Sequence, residues 1–199
     1  DAWQALWQRH SRLAELRQLL ELLEDRTRRL TLPLPGPLVG LPLQVHGTYS
    51  LDEVIAAIDE RSSKGGVTPV QSGLLYSGKH RCDLMFVTIE KSEKDYTPTT
   101  LYNDYPMSQQ VFHWESQSAC HVGTPTGRRY TAIRADGPDF GLLFVRQRKV
   151  DDRGETMPYL LLGPVTYRTH RGGRPMQIEW QFRFPMPAGD YQEMKVAAG

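Results

Sequence analysis

An α+β domain, mainly antiparallel strands curling toward a barrel behind an N-terminal helical segment, is the fold class this sequence predicts. Three observations predict it. Leu6, Leu13 and Leu20 recur every seven residues, with Leu16 and Leu23 three further on from the last two. Four prolines crowd residues 32–42. From Val67 onward apolar and polar residues alternate with turn residues between them, the period of strands rather than helices.

The leucine spacing predicts one helix over residues 2–29 with an apolar seam on one side, read as a connector (residues 1–31) to an upstream module. Prolines at 33, 35, 37 and 42 exclude helix and central strand, so 32–42 is expected to be an extended linker and 43–199 the recognition domain. Ser50 and Glu53 form a capping-box pair. Behind it Leu51, Val54, Ile55 and Ile58 mark one face of a short helix that should stop by Gly65 and Gly66. Strands are expected at 69–76, 82–90, 98–103, 111–117, 129–134, 140–149, 158–162, 165–169 and 176–184. The last is the clearest, because Ile178, Trp180, Phe182 and Phe184 alternate with Glu179, Gln181 and Arg183. Asp151 to Gly154 should turn the chain, and so many short strands suggest a nearly closed barrel.

Composition narrows the function classes. No run of 18 apolar residues exists, so a membrane partner is not expected, and the chain opens on Asp1 like a piece of a longer protein. Cys82 and Cys120 provide neither a disulfide framework nor a paired zinc motif, which makes a reducing cytoplasm the default. The net charge of +1 hides an asymmetry. Residues 1–125 carry 12 basic against 15 acidic side chains, whereas residues 126–183 carry 11 against 6, and ten of those 11 are arginine. Arginine's planar fork suits phosphate, so Arg128, Arg129, Arg146, Arg148, Arg168, Arg171 and Arg174 read as contacts to a polyanion.

The stretch 96–130 carries the densest chemistry. Tyr96, Tyr102, Tyr105, Phe112, His113, Trp114 and Tyr130 stand among Asp104, Gln117, Arg128 and Arg129. Flat rings beside hydrogen-bonding groups are what a pocket for a planar heterocycle needs. Catalysis is not expected. Glu90 followed at once by Lys91 has the wrong spacing for a magnesium nuclease, Cys120 near His113 or His121 lacks an oxyanion motif, and no metal or other cofactor site has its spacing.

The runs FVTIEKSEKDYTPTTLYNDYPMSQQVFHWESQS at 86–118, TPTGRRY at 124–130, LLFVRQRK at 142–149, YLLLGPVTY at 159–167 and GRPMQIEW at 173–180 carry a resemblance. They are similar to a bacterial domain of initially unknown function at the C-terminal end of helicase proteins, many with a phospholipase D-type nuclease at the front. Its best understood context is the modification-dependent (type IV) restriction enzyme. The resemblance, over residues 43–187, implies recognition of double-stranded DNA carrying 5-methylcytosine or 5-hydroxymethylcytosine, with upstream helicase and nuclease domains as partners in the same chain.

With that target, Tyr102, Tyr105 and Trp114 would stack on a flipped base, Asp104 and His113 would read its polar edge, and Glu115 and Gln117 would complete the pocket. Arg128, Arg129 and Tyr130, with the later arginines, would hold phosphates, and residues 124–127 would form a flexible loop toward the duplex. Glu115 departs from the family pattern, which has glutamine there, and Pro106 stands where a small residue is usual. A carboxylate accepts from cytosine's amino group while glutamine both donates and accepts, so the base and its context stay open. The alternatives are a non-catalytic docking module between helicase and nuclease, resting on the leucine seam, and a metal-dependent nuclease.

Overall fold

The structure, a computed structural model, describes residues 10–27, 30–60, 65–66, 68–90 and 103–199, and within the first segment the side chains of residues 12–20. Two compact units divide at Leu30: Asp1–Leu30 and Thr31–Gly199. In the first, α1 (His10–Thr27) lies inside the helix expected over 2–29, and Leu16 and Leu20 of the leucine seam are 39% and 59% exposed. None of the described helices is long and apolar enough to cross a membrane.

The second unit is a mostly antiparallel sheet with helices on its faces. Its strands are β1 (Leu32–Pro33), β2 (Gln44–Val45), β3 (Thr48–Tyr49), β4 (Leu74–Ser77), β5 (Cys82–Thr88), β6 (Tyr105–Pro106), β7 (Val111–Glu115), β8 (Phe140–Arg146), β9 (Tyr159–Arg171) and β10 (Gln177–Phe182). Its helices are α2 (Leu51–Ile58), α3 (Pro125–Ala132) and α4 (Ala188–Ala198). Among the described residues the main sheet runs β4-β5-β8-β9-β10-β7-β6, with β3 pairing the start of β9 and only β5 and β8 parallel. Among the described residues the order ends on β4 and β6 with no pairing between them, and the closed barrel anticipated from strand number is not found.

Two cores lie on its two faces. On β5, Cys82, Leu84 and Phe86 point one way and Met85 and Val87 the other, and on β8 Leu142 and Phe144 oppose Leu143 and Val145. The parallel pair is buried on both sides, which is why these strands are near-continuous apolar runs. One core takes Leu34, Leu38, Leu43 and Val45 together with Val54 and Ile58 of α2. Residues 32–42 are therefore packed structure and not a free linker: Leu34 and Leu38 are each 1% exposed, and β1 pairs with β2. Pro35 is extended there at φ −85° and ψ 164°, and Pro37 sits in a single 3-10 turn over Gly36–Leu38 that buries Leu38. The other core gathers Phe112, Trp114, Tyr130, Ile178, Trp180 and Phe182 beneath the second half of the sheet.

Other elements depart from expectation in instructive ways. The capping box at Ser50 and Glu53 holds, but α2 ends at Ile58 with Asp59 left-handed at φ 48°. Residues 129–132 belong to helix and not strand, because Thr124 caps α3 with its hydroxyl accepting from the Gly127 N–H at 3.0 Å and Pro125 occupies the first turn. The expected strands at 158–162 and 165–169 are one 13-residue strand, β9. It bends at Gly163, where φ is +100° and a β-carbon would sit 2.9 Å from Val45 Cγ1. The strand expected at 98–103 lies almost wholly outside the described residues. The sequence reading did not foresee α4, whose lead-in residue Met186 accepts from Gln109 Nε2 in the β6–β7 turn at 3.0 Å.

Candidate nucleic-acid interface

Among the described residues, the second half of the sheet is covered on one face only. Alternation along β7 and β10 sends Phe112, Trp114, Ile178 and Trp180 inward, and turns His113, Glu115, Gln177 and Glu179 outward. Pairing then aligns these outward residues in two rows. Tyr105 lies opposite His113, His113 opposite Glu179, and Glu179 opposite Thr169. Beside that row, Glu115 lies opposite Gln177 and Gln177 opposite Arg171.

A cleft of about 280 Å³ opens on these rows, lined by Tyr105, His113, Thr169, Arg171, Gln177 and Glu179, with Asn103, Met107 and His170 at its margin. Tyr105 and His113 stack with centroids 4.8 Å apart and planes 27° from parallel. Glu115 is already engaged: its Oε1 accepts from Gln177 Nε2 at 3.0 Å and its Oε2 from the Asn103 N–H at 3.2 Å. The pairing of β9 with β10 shifts at Glu179/Trp180, stepping past Arg168, whose Nη1 lies 3.4 Å from Glu179 Oε2. The Tyr167 hydroxyl meets His170 Nδ1 at 2.6 Å.

The structure brings together some of the expected site residues and separates others. Tyr105 and His113 form the stack, and Glu115 anchors the cleft's edge. Asp104 is 7% exposed and accepts from the Glu115 N–H at 2.9 Å, tying the approach to β6 onto β7 rather than facing the cleft. Trp114 is 4% exposed, T-shaped against Tyr130 at 5.4 Å and tilted against Trp180 at 6.1 Å. It is a core ring, and with Tyr130 at 1% exposure neither can stack on a ligand or touch a phosphate in this geometry. Gln117 sits in the turn after β7, its carbonyl accepting from the Cys120 N–H. Tyr102 lies outside the described residues.

The arginines sort in the same way. Arg129 is held by the buried carboxylate of Asp83 and lies 4.0 Å above the Tyr76 ring. Hydrogen bonding to Asp83 holds its guanidinium still more firmly charged. Burial pushes the Asp83 carboxyl above its ordinary range, against the downward pull of Arg129. Arg146 donates to Thr88 Oγ1 and Met157 O and covers Tyr159, and Arg148 pairs with Asp152. Arg146 lies beside the start of β9, whereas Arg171 ends that strand, roughly 40 Å away if it were straight. Arg171 and Arg174 are exposed at the cleft end. Arg174 Nη2 lies 3.2 Å from His121 Nε2, and Arg128 Nη1 donates to Gly123 O at 2.7 Å in the same neighbourhood. None of these three has a carboxylate partner among the described residues.

The loop expected at 124–127 is the start of α3, and a β-carbon at Gly127 would overlap the His121 carbonyl. Sequence reasoning missed Gln177, Glu179, Thr169 and His170 as cleft residues, although the alternation over 176–184 already put Glu179 on the wet face. Among the described residues no cluster of three His, Cys, Asp or Glu side chains could hold a metal ion.

Residues 43–194, which include every strand of the cleft, match a family described as a domain of unknown function, DUF3427. No curated protein matches the chain.

Proposed function

Since the chain belongs to the DUF3427 family, whose function is unknown, the cleft must carry the reading, and we propose that this domain binds duplex DNA and receives an unstacked modified cytosine on the Tyr105–His113 stack. That stack on an otherwise polar, one-sided sheet face is the observation that carries the reading. A partly exposed pair of stacked rings offers a flat surface to a third ring, and base–aromatic stacking contributes about 1–3 kcal/mol per base. A cleft of about 280 Å³ lies at the lower end of the roughly 300–1,000 Å³ typical of small-ligand sites, which favours one base over a dinucleotide cofactor.

Arg171, Arg174 and Arg128 at one end supply charge for the phosphates flanking a flipped nucleotide. The preference for 5-methyl- or 5-hydroxymethylcytosine rests on the sequence resemblance, as does the role of directing helicase and nuclease activities to such DNA. Competition binding tests the reading, with duplexes of one sequence containing cytosine, 5-methylcytosine or 5-hydroxymethylcytosine at one position. A modified duplex should displace a labelled probe at lower concentration than plain DNA. Equal displacement by all three contradicts the proposal, and failure of every duplex to bind supports a docking role instead.

A further inference from the structure

The hydrogen-bonding capacity of the cleft identifies which edge of a base it accepts. Glu115 has both carboxylate oxygens occupied, by Gln177 Nε2 and by the Asn103 N–H. A carboxylate only accepts, so Gln177 must turn its amide nitrogen to Glu115, leaving its carbonyl oxygen as an acceptor. Glu179 is different. Its side chain is 18% exposed, and its partner among the described residues is the 54% exposed Arg168, at 3.4 Å. That contact is an ion pair at a distance longer than a good hydrogen bond. Glu179 therefore keeps more acceptor capacity than Glu115, each of whose oxygens already accepts one short hydrogen bond.

Its place in the register matters as much. Glu179 lies directly opposite His113 on β10, on the side away from Tyr105. A ring added to the open face of His113 comes down over Glu179. We infer that Glu179 is the specificity-determining acceptor of the cleft, reading an exocyclic amino group on the bound base, and that Arg168 positions it until a DNA phosphate competes for the guanidinium. This rests on the proposed base-binding role of the cleft and adds the edge that is read. Cytosine and its 5-substituted forms present a 4-amino donor to such an acceptor, whereas thymine presents a carbonyl oxygen, which a carboxylate repels. Asp104, the acidic reader expected from the sequence, is engaged with the backbone of β7 instead.

The test compares wild type with Glu179→Gln and Arg168→Ala on duplexes holding 5-methylcytosine, plain cytosine, thymine, or 5-methylpyrimidin-2-one, which keeps the ring and methyl but lacks the amino group. Glu179→Gln is nearly isosteric at a partly exposed position, and a melting curve checks that each variant folds. Wild type should bind the 5-methylcytosine duplex roughly 10-fold more tightly than the amino-free analogue. Glu179→Gln, whose amide oxygen still accepts but carries no charge, should lower that ratio by several-fold. Arg168→Ala should keep the ratio above that of Glu179→Gln and lower the salt dependence by roughly one counterion. A wild type that prefers 5-methylcytosine over cytosine but does not distinguish the amino-free analogue, or a Glu179→Gln that keeps the full ratio, overturns the inference and leaves base binding intact. A wild type with no preference for modified DNA overturns both.

Discussion

Arg129 Nε donates to Asp83 Oδ2 at 2.6 Å while its Nη2 donates to Asp83 Oδ1 at 2.7 Å, a bidentate pair that ties α3 to the start of β5. The Asp83 side chain is only 4% exposed, so this arginine answers a buried charge and not a passing phosphate. Arg129→Ala should therefore lower stability by about 3 kcal/mol, the scale for stranding a buried partner. DNA affinity per folded molecule should barely change. Urea unfolding checks the first part. Replacing Asp83 and Arg129 together by Leu and Met should recover most of the loss, because no charge is then left buried alone.

Trp114→Ala should be a folding mutation. The ring fills the triangle with Tyr130 and Trp180, and truncating a buried aromatic costs about 3–5 kcal/mol. Tyr105 is partly exposed at the sheet edge, so Tyr105→Ala should melt within a few degrees of wild type. If thermal melts put the two variants in the opposite order, the assignment of core and cleft faces is wrong.

Salt dependence should separate the arginines. Arg171→Ala and Arg174→Ala should each reduce the slope of log affinity against log salt by roughly one, weakening plain and modified DNA alike. Arg146→Ala should leave the slope unchanged, since its guanidinium is engaged with Thr88, Met157 and the Tyr159 ring at the other end of β9.

Alkali should unfold the domain. Burial raises the Tyr130 hydroxyl far above its ordinary value, with the Asp83 charge adding to it, and burial likewise raises the Cys82 thiol. Both groups hold their protons more tightly folded than unfolded. Their contribution is thus fully present below the ordinary values of about 8.5 for a thiol and 10 for a phenol, and declines as pH rises beyond them. Denaturation midpoints measured from pH 7 to 11 should fall across that window, and Tyr130→Phe should flatten the part above pH 10. A midpoint constant to pH 11 contradicts the buried placement of both groups.

How much of this was legible in the sequence depends on what each signal reports. The Ser50–Glu53 box and the alternation from Ile178 to Phe182 are local patterns with one physical cause each, and both stand in the structure. The aromatic stretch was visible as a concentration of rings, but a strand divides its residues between two faces. His113 and Trp114 are adjacent in sequence and point to opposite sides of the sheet. Thr124-Pro125 was an N-cap followed by a first-turn proline, and the glycine at 127 drew attention away from it. The arginines were counted as one basic half, yet Asp83, the partner that removes Arg129 from it, lies 46 residues earlier and only the parallel pairing of β5 with β8 places it under α3. Glu179 was already assigned to the wet face, but its neighbours across the strands, His113 and Thr169, come from pairings no local pattern encodes.

The most direct measurement is the ratio of affinities for one duplex with and without 5-methylcytosine, in wild type and in Tyr105→Ala and His113→Ala. Stacking of about 1–3 kcal/mol per base corresponds to ~5- to 150-fold. Wild type should favour the modified duplex, and either substitution should bring the ratio close to one, mainly by weakening the modified complex while plain DNA remains held through its phosphates. A wild-type ratio of one, or variants that weaken both duplexes equally while staying folded, would contradict the placement of the base on the Tyr105–His113 stack.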